Sequence, residues 1–199
     1  ERLLLFTRRA FLEVVRISYW KQINSGKLPR NSTAALILLS SVDVALENLD
    51  GTGLKDWDEI EDHFNNLYSN YTNLPGSNKI AKSMHDYRDG QAVYLLTAFV
   101  DAHINAQQRI ALYLGDTETV DTPEEAMVVQ ESRGLVAKAR KGLAGIEPGI
   151  MLRQVTKATA RWVIHSQQDQ IEEFMKEGII TPADAEELLH ECEEDLRHL

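Results

Sequence analysis

The sequence predicts an all-α fold of about eight helices in a bundle-like array, with a helical hairpin near each end. Three observations carry that expectation. Helix stop and start signals recur along the 199 residues, apolar residues follow three- and four-residue spacings, and no period-2 run sits between hairpin turns. An apolar content of 43% beside 26% charged suffices to bury a core. Residues 1–199 are expected to form one helical domain, with a basic leading helix (1–25), central core helices (31–115) and C-terminal helices (122–199).

The first helix is expected over 3–24, ending before Gly26. Arg2, Arg9 and Arg16 recur every seven residues with Glu13 close by, so they form one narrow polar ridge. Leu5, Leu12 and Tyr19 flank it on one side, and Phe6, Ala10, Val14 and Ile17 on the other. Such a helix either packs on a core with a solvated arginine edge, the preferred reading, or lies against a partner or a bilayer interface. Trp20, beside the ridge, is expected to be buried, with an interfacial anchor as the alternative.

At the corner, Gly26 can supply the left-handed residue that ends a helix, and Leu28 can pack back on the last turn. Pro29 blocks continuation, and Asn31, Ser32 or Thr33 can cap the next helix. That second helix carries one stripe of Ala35, Leu38, Leu39, Val42, Ala45, Leu46 and Leu49, and a smaller-residue stripe of Ala34, Ile37, Ser41 and Val44. Apolar over so much of its circumference, it is expected in the centre of the core, with Leu39 among its buried residues.

Asp50-Gly51 and Gly53 end it, and Asp56 is a good N-cap for a third helix over 57–68. Leu74-Pro75-Gly76 breaks the chain, a short turn is expected over 78–85, and a long helix over 91–114 stops at Gly115. Thr122-Pro123-Glu124-Glu125 reads as a capping box with proline at the first helical position. The segment from Gly145 to Gly149 separates that helix from one over 150–177. Gly178, Ile180, Thr181 and Pro182 then repeat the first corner, with Asp184 as the acid of a second box.

Composition narrows function. Cys192 is the only cysteine, so no intrachain disulfide forms, which fits a reducing compartment. The longest apolar runs, 34–39 and 93–100, fall well short of the ~20 residues of a membrane span. Charged residues interrupt the first segment, which is unlike a signal peptide, and the absence of an initiating Met suggests a piece of a longer chain. Residues 1–30 hold seven bases and two acids, a net of +5, whereas the whole chain carries −10. An acidic body argues against nucleic-acid binding. Its basic leading helix suggests an anionic membrane surface or an acidic partner patch.

Few residues invite chemistry. His190, Glu194 and His198 share a helical face near Cys192, but Glu194 stands where a zinc-protease pattern has its second histidine. A solvated acidic face is the preferred reading. His103 is two residues from Asp101, too close for the two to face each other on a helix, and is expected as a half-buried polar contact. Trp57 and Trp162 read as core. No phosphate loop or nucleophile arrangement stands out, so no catalytic residue, cofactor or metal is assigned and no enzyme is expected.

Three patches, in order, carry a family resemblance. The first holds Tyr19-Trp20, Gly26 with Leu28, Ser41-Val42-Asp43 with Ala45-Leu46, and Asp56-Trp57. The second holds Ala98-Phe99 and Ala102-His103, and the third Gly178, Leu188, Asp195-Leu196, Arg197 and Leu199. Together they resemble the segment that follows the membrane domain in plant plasma-membrane salt-tolerance sodium/proton antiporters, with a related region in sperm-type exchangers. Ile104, Asn105 and Gln107 depart from it, standing where that family is more basic.

The resemblance implies a cytoplasmic regulatory and dimerisation domain, on the cytoplasmic side of the plasma membrane and concerned with pH and sodium homeostasis. It would lie between the transport domain of the same chain and a downstream cyclic-nucleotide-binding-like domain, in a homodimer. The first helix is then membrane-proximal. Arg2, Arg9, Arg16 and Trp20 are the expected contacts to a membrane surface or partner, and Gly26, Leu28, Gly178 and Ile180 the hairpin corners. The alternatives are a free-standing helical adaptor that docks through its first helix, and a helical metalloprotein using the face from His190 to His198.

Overall fold

The computed structural model describes residues 1–69, 79–114 and 122–199, and among these it is wholly helical, without a strand. Seven helices follow in order: α1 (Arg2–Asn24), α2 (Thr33–Glu47), α3 (Asp56–Ser69), α4 (Lys79–Leu114), α5 (Pro123–Ala144), α6 (Pro148–Lys176) and α7 (Pro182–His198). The count is seven rather than about eight because the turn expected over 78–85 and the helix expected over 91–114 are continuous in α4. Gly90 is the one glycine between them, and an interior glycine costs about 1 kcal/mol, too little to stop a long helix. Gly90 also admits Gln154 of α6, whose Nε2 would lie 2.6 Å from any Cβ placed there. The break at Leu74-Pro75-Gly76 and the stop at Gly115 lie outside the described residues.

Helix α4 is the axis of the molecule, packed on α1, α2, α5 and α6, and α1 also packs on α2 and α5. Phe11, Leu12, Val15 and Tyr19 of α1 meet Leu38 and Val42 of α2, Ile60 of α3 and Leu95, Leu96 and Phe99 of α4 in one core. On α2 the fully buried leucine is Leu38; Leu39 is half-buried, its ring position lying 100° further round. The expectation that placed Leu39 among the buried residues is corrected accordingly. Helix α7 packs against α6, so these two form a hairpin on the flank of the core.

Both corners are built on a left-handed glycine, with φ +73° at Gly26 and +72° at Gly178. At Gly178 the amide donates to Met175 O (3.1 Å) and that of Ile179 to Phe174 O (2.9 Å), the two bonds of a Schellman turn. At Gly26 the amide donates to Ile23 O (3.1 Å), but Leu28 rather than Lys27 closes the outer bond, to Gln22 O (3.0 Å). This wider loop carries Leu28 into the core. Ser32 caps α2 by accepting from the Ala35 amide (3.2 Å), and Thr122 caps α5 by accepting from that of Glu125 (3.2 Å). Thr181 and Asp184 cap each other at the start of α7.

Candidate functional site

Helix α1 has one face locked into the core and one turned out. The lock is Arg8, which the ridge of Arg2, Arg9 and Arg16 does not include. Its guanidinium is buried and grips Glu131 of α5 with two parallel bonds, Nε to Oε2 (3.0 Å) and NH2 to Oε1 (2.5 Å). Its third bond goes from NH1 to Gly51 O in the α2–α3 connection (2.5 Å). A fork of this kind fixes orientation as well as distance.

Below it lies a buried polar chain that joins three helices. Gln107 Nε2 donates to Ser132 Oγ (2.9 Å), Ser132 Oγ meets His103 Nδ1 (2.9 Å), and His103 Nε2 meets Asp56 Oδ2 (2.8 Å). One proton arrangement fits all three bonds: Ser132 donates to Nδ1, and the imidazole carries its hydrogen on Nε2 and donates it to Asp56 Oδ2. The ring stacks on Phe99 (centroids 4.0 Å apart, 29° between planes). Asp56, His103 and Ser132 are all 0% exposed, so this order of groups ties α3, α4 and α5 together where no substrate can reach. Two expectations are corrected here. His103 is fully buried rather than half-buried, and the Asp56 carboxylate turns inward, its Oδ2 on His103 Nε2. Nearby, burial first and the Asp56 charge second push the Tyr19 phenol well above its ordinary pKa. The Tyr19 hydroxyl, Asp56 Oδ1 and Trp57 Nε1 are buried without a hydrogen-bond partner.

The outward face of α1 is apolar and basic together. Leu3, Phe6, Ile17 and Trp20 are exposed by 53, 59, 39 and 46%, beside exposed Arg2 and Arg9. Arg16 is held by Glu13 and by Asp43 of α2 (3.1 Å), so the ridge is solvated at its start and paired at its end. Trp20 is therefore not buried: Tyr19 takes the core-facing position and the next residue, 100° on, points away.

At the end of α1 the chain meets α6. A Cβ on Gly26 would overlap the His165 ring, with Nε2 at 2.7 Å and Cγ at 2.9 Å, so the bare glycine is what lets α6 close over the corner. Beside it a cavity of about 250 Å³ opens between α1, α4 and α6, with Leu28, Val93, Ala98, Val155 and Ala158 on its walls. Lys27 Nζ sits 5.3 Å from the centre of the Trp162 ring at its edge. Trp162 is 44% exposed, not core as its spacing suggested, because α6 covers α4 with one side only.

In the C-terminal hairpin His190 and Glu194 face each other in solvent (3.8 Å), and Arg197 pairs with Glu193 (3.9 Å). The Cys192 thiol is raised above its ordinary pKa by partial burial, then by Asp195 and Glu191, which makes it a weak nucleophile. Among the described residues no cluster of three or more metal-binding side chains occurs, and no helix is long and apolar enough to cross a membrane.

Residues from the first two patches of the family resemblance meet in this geometry. Tyr19, Asp56, Trp57, Phe99 and His103 meet in and around the buried polar chain, Asp43 holds Arg16, and Gly26 with Leu28 forms the corner. No family model matches the chain. It is 26% identical over 196 residues, 96% of its length, to sodium/hydrogen exchanger 8 of Arabidopsis thaliana, and 27% identical over 179 residues, 87% of its length, to exchanger 7 of that plant. The chain is thus homologous over most of its length to sodium/hydrogen exchangers, while spanning only 25% and 15% of those relatives.

Proposed function

We propose that this chain is the non-catalytic cytoplasmic regulatory and dimerisation domain of a sodium/proton antiporter. It couples distal cytoplasmic segments, a cyclic-nucleotide-binding-like domain among them, to the membrane transport domain at the plasma membrane. The observation that carries this reading is the double face of α1. A helix clamped by Arg8 to α5 and to the α2–α3 connection moves with the core, while its outer face remains available to another surface.

The hairpin offers a surface of opposite sign. On α7, Glu186, Glu187, Glu191 and Asp195 are exposed, and Phe174, Ile179 and Leu188 expose apolar area beside them. A basic, apolar α1 face and an acidic, apolar hairpin on the same molecule suit a two-fold pairing, in which each copy supplies both halves. Sedimentation velocity at low salt tests this. The wild-type chain should sediment as a dimer, Arg2→Glu with Arg9→Glu should weaken it, and adding Glu187→Arg with Glu191→Arg should restore it. A monomer at every concentration, or a dimer indifferent to both reversals, refutes the pairing.

The pattern of exposed Trp20, Phe6 and Leu3 among arginines favours one further contact, an anionic lipid surface. Arg2, Arg9 and Arg16 would each contribute up to about 1 kcal/mol of attraction. Equal sedimentation of wild type and an Arg→Glu triple variant with phosphatidylserine vesicles excludes it. The coding sequence on either side separates the antiporter reading from a free-standing adaptor: apolar spans upstream support the former, and a start codon with a soluble domain the latter.

A further inference from the structure

We propose that the cavity between the end of α1, α4 and α6 binds a small single-chain amphiphile with an anionic head. The tail would lie against Leu28, Val93, Val155 and Ala158, and a carboxylate would meet Lys27 and Lys21. The proposal is independent of oligomeric state and of the regulatory reading.

The shape calls for a ligand of two parts. The apolar compartment of about 250 Å³ adjoins a second, polar one of about 400 Å³, with Ser18, Lys21, Ser25, Asn105 and Gln108 on its walls. Gln22, Lys27, Asp101 and Trp162 border both, so the two compartments share one boundary. The first is just below the roughly 300–1,000 Å³ of drug-sized ligand sites, which suits a short chain rather than a ring system.

Charge selects the sign of the head. Lys21 and Lys27 face the polar compartment against one carboxylate, Asp101. Partial burial raises the Asp101 pKa, with Lys27 opposing, and the two lysines outnumber this single carboxylate. The Lys27 ammonium rests on the Trp162 ring (5.3 Å), a weak contact at an exposed site, from which a carboxylate can draw it. Gln22 is held in place by its bond to Ala98 O (3.1 Å), which fixes the wall between the compartments. A ligand seated here touches α1, α4 and α6 at once, beside the glycine corner where α1 and α6 already meet.

Calorimetry and tryptophan fluorescence of the 199-residue chain with sodium octanoate, octylammonium chloride and 1-octanol form the test. Octanoate should bind saturably below its micelle-forming concentration and change the Trp162 emission, and octylammonium should bind at least about tenfold more weakly, the loss of one charge-assisted contact. Lys27→Gln should weaken octanoate binding severalfold, and adding Lys21→Gln should bring it down to the affinity of octanol. Ala158→Phe, which fills the tail compartment, should abolish binding of all three. The proposal is overturned by absence of saturable octanoate binding to the wild type, or by octylammonium binding as well as octanoate. It also fails if Lys27→Gln, a surface change that leaves the core intact, binds octanoate as the wild type does. That comparison decides the matter even where Ala158→Phe prevents folding.

Discussion

Replacing each corner glycine by alanine separates the conformational role of a left-handed residue from its packing role. Gly26 and Gly178 have nearly the same φ, +73° and +72°, so either alanine incurs the same backbone cost, about 1–2 kcal/mol for an L-residue in that region. Their surroundings differ. Nothing lies within 4 Å of a Cβ at Gly178, whereas one at Gly26 would overlap His165. Forcing the His165 ring aside adds about 1–3 kcal/mol of overpacking. Gly26→Ala should therefore cost about 2–5 kcal/mol and Gly178→Ala only about 1–2 kcal/mol. In a chain of this size each kcal/mol lowers Tm by roughly 2–4 °C. Urea unfolding followed by circular dichroism measures both, and His165→Ala closes the cycle. In that background Gly26→Ala should cost no more than Gly178→Ala. Equal costs for the two alanines in the wild-type background, or a Gly26→Ala penalty unchanged by removing His165, would refute the claim that α6 closes over a bare corner.

Three further outcomes are expected. Arg8→Met leaves Glu131 partly buried without its partner and should cost about 3–5 kcal/mol in urea unfolding, most of it recovered when Glu131→Leu is added. Ser132→Ala strands both Gln107 Nε2 and His103 Nδ1 in the interior and should cost about 1–3 kcal/mol by the same assay, whereas Ser→Ala on the exposed Ser166 should cost little. The Tyr19 phenol has a folded-state pKa above its unfolded value, so its contribution is intact below about pH 10 and is lost as pH rises beyond it. Tyr19→Phe, which also removes a buried hydroxyl without a partner, should leave neutral stability unchanged or raised by about 1 kcal/mol and flatten the alkaline loss measured by thermal melts.

Local signals were strongest where one residue type has one physical use. The left-handed glycines, the Thr122 and Thr181 caps and the prolines behind them fix corners by backbone chemistry alone, and these lie where the sequence puts them. The expected gap between 85 and 91 did not appear, and Gly90 within it has a packing use, the admission of Gln154. Arg8 shows how a site is missed. Its neighbours at three- and four-residue spacing are Leu4, Leu5, Phe11 and Leu12, so it stands inside the apolar stripe, a signal eclipsed by the more regular ridge beside it. The partners of His103 are out of reach of any local reading. Asp56 and Ser132 lie 47 and 29 residues away, and only the packing of α3 and α5 on α4 brings them to one imidazole. Trp20 and Trp162 went the other way, since large aromatic residues are presumed buried and only the outline of the molecule shows which helix faces lack a neighbour.

The proposed coupling of α1 to transport has one direct measurement, sodium-driven proton exchange in vesicles by the longer chain that the proposal places around this segment. Arg2→Glu with Arg9→Glu alters only exposed residues, so the melting temperature of the 199-residue chain should stay within a few degrees, as surface substitutions usually do. The coupling predicts that this double reversal changes the exchange rate or its pH dependence severalfold at equal protein abundance. Exchange identical to wild type in rate and pH dependence would contradict it.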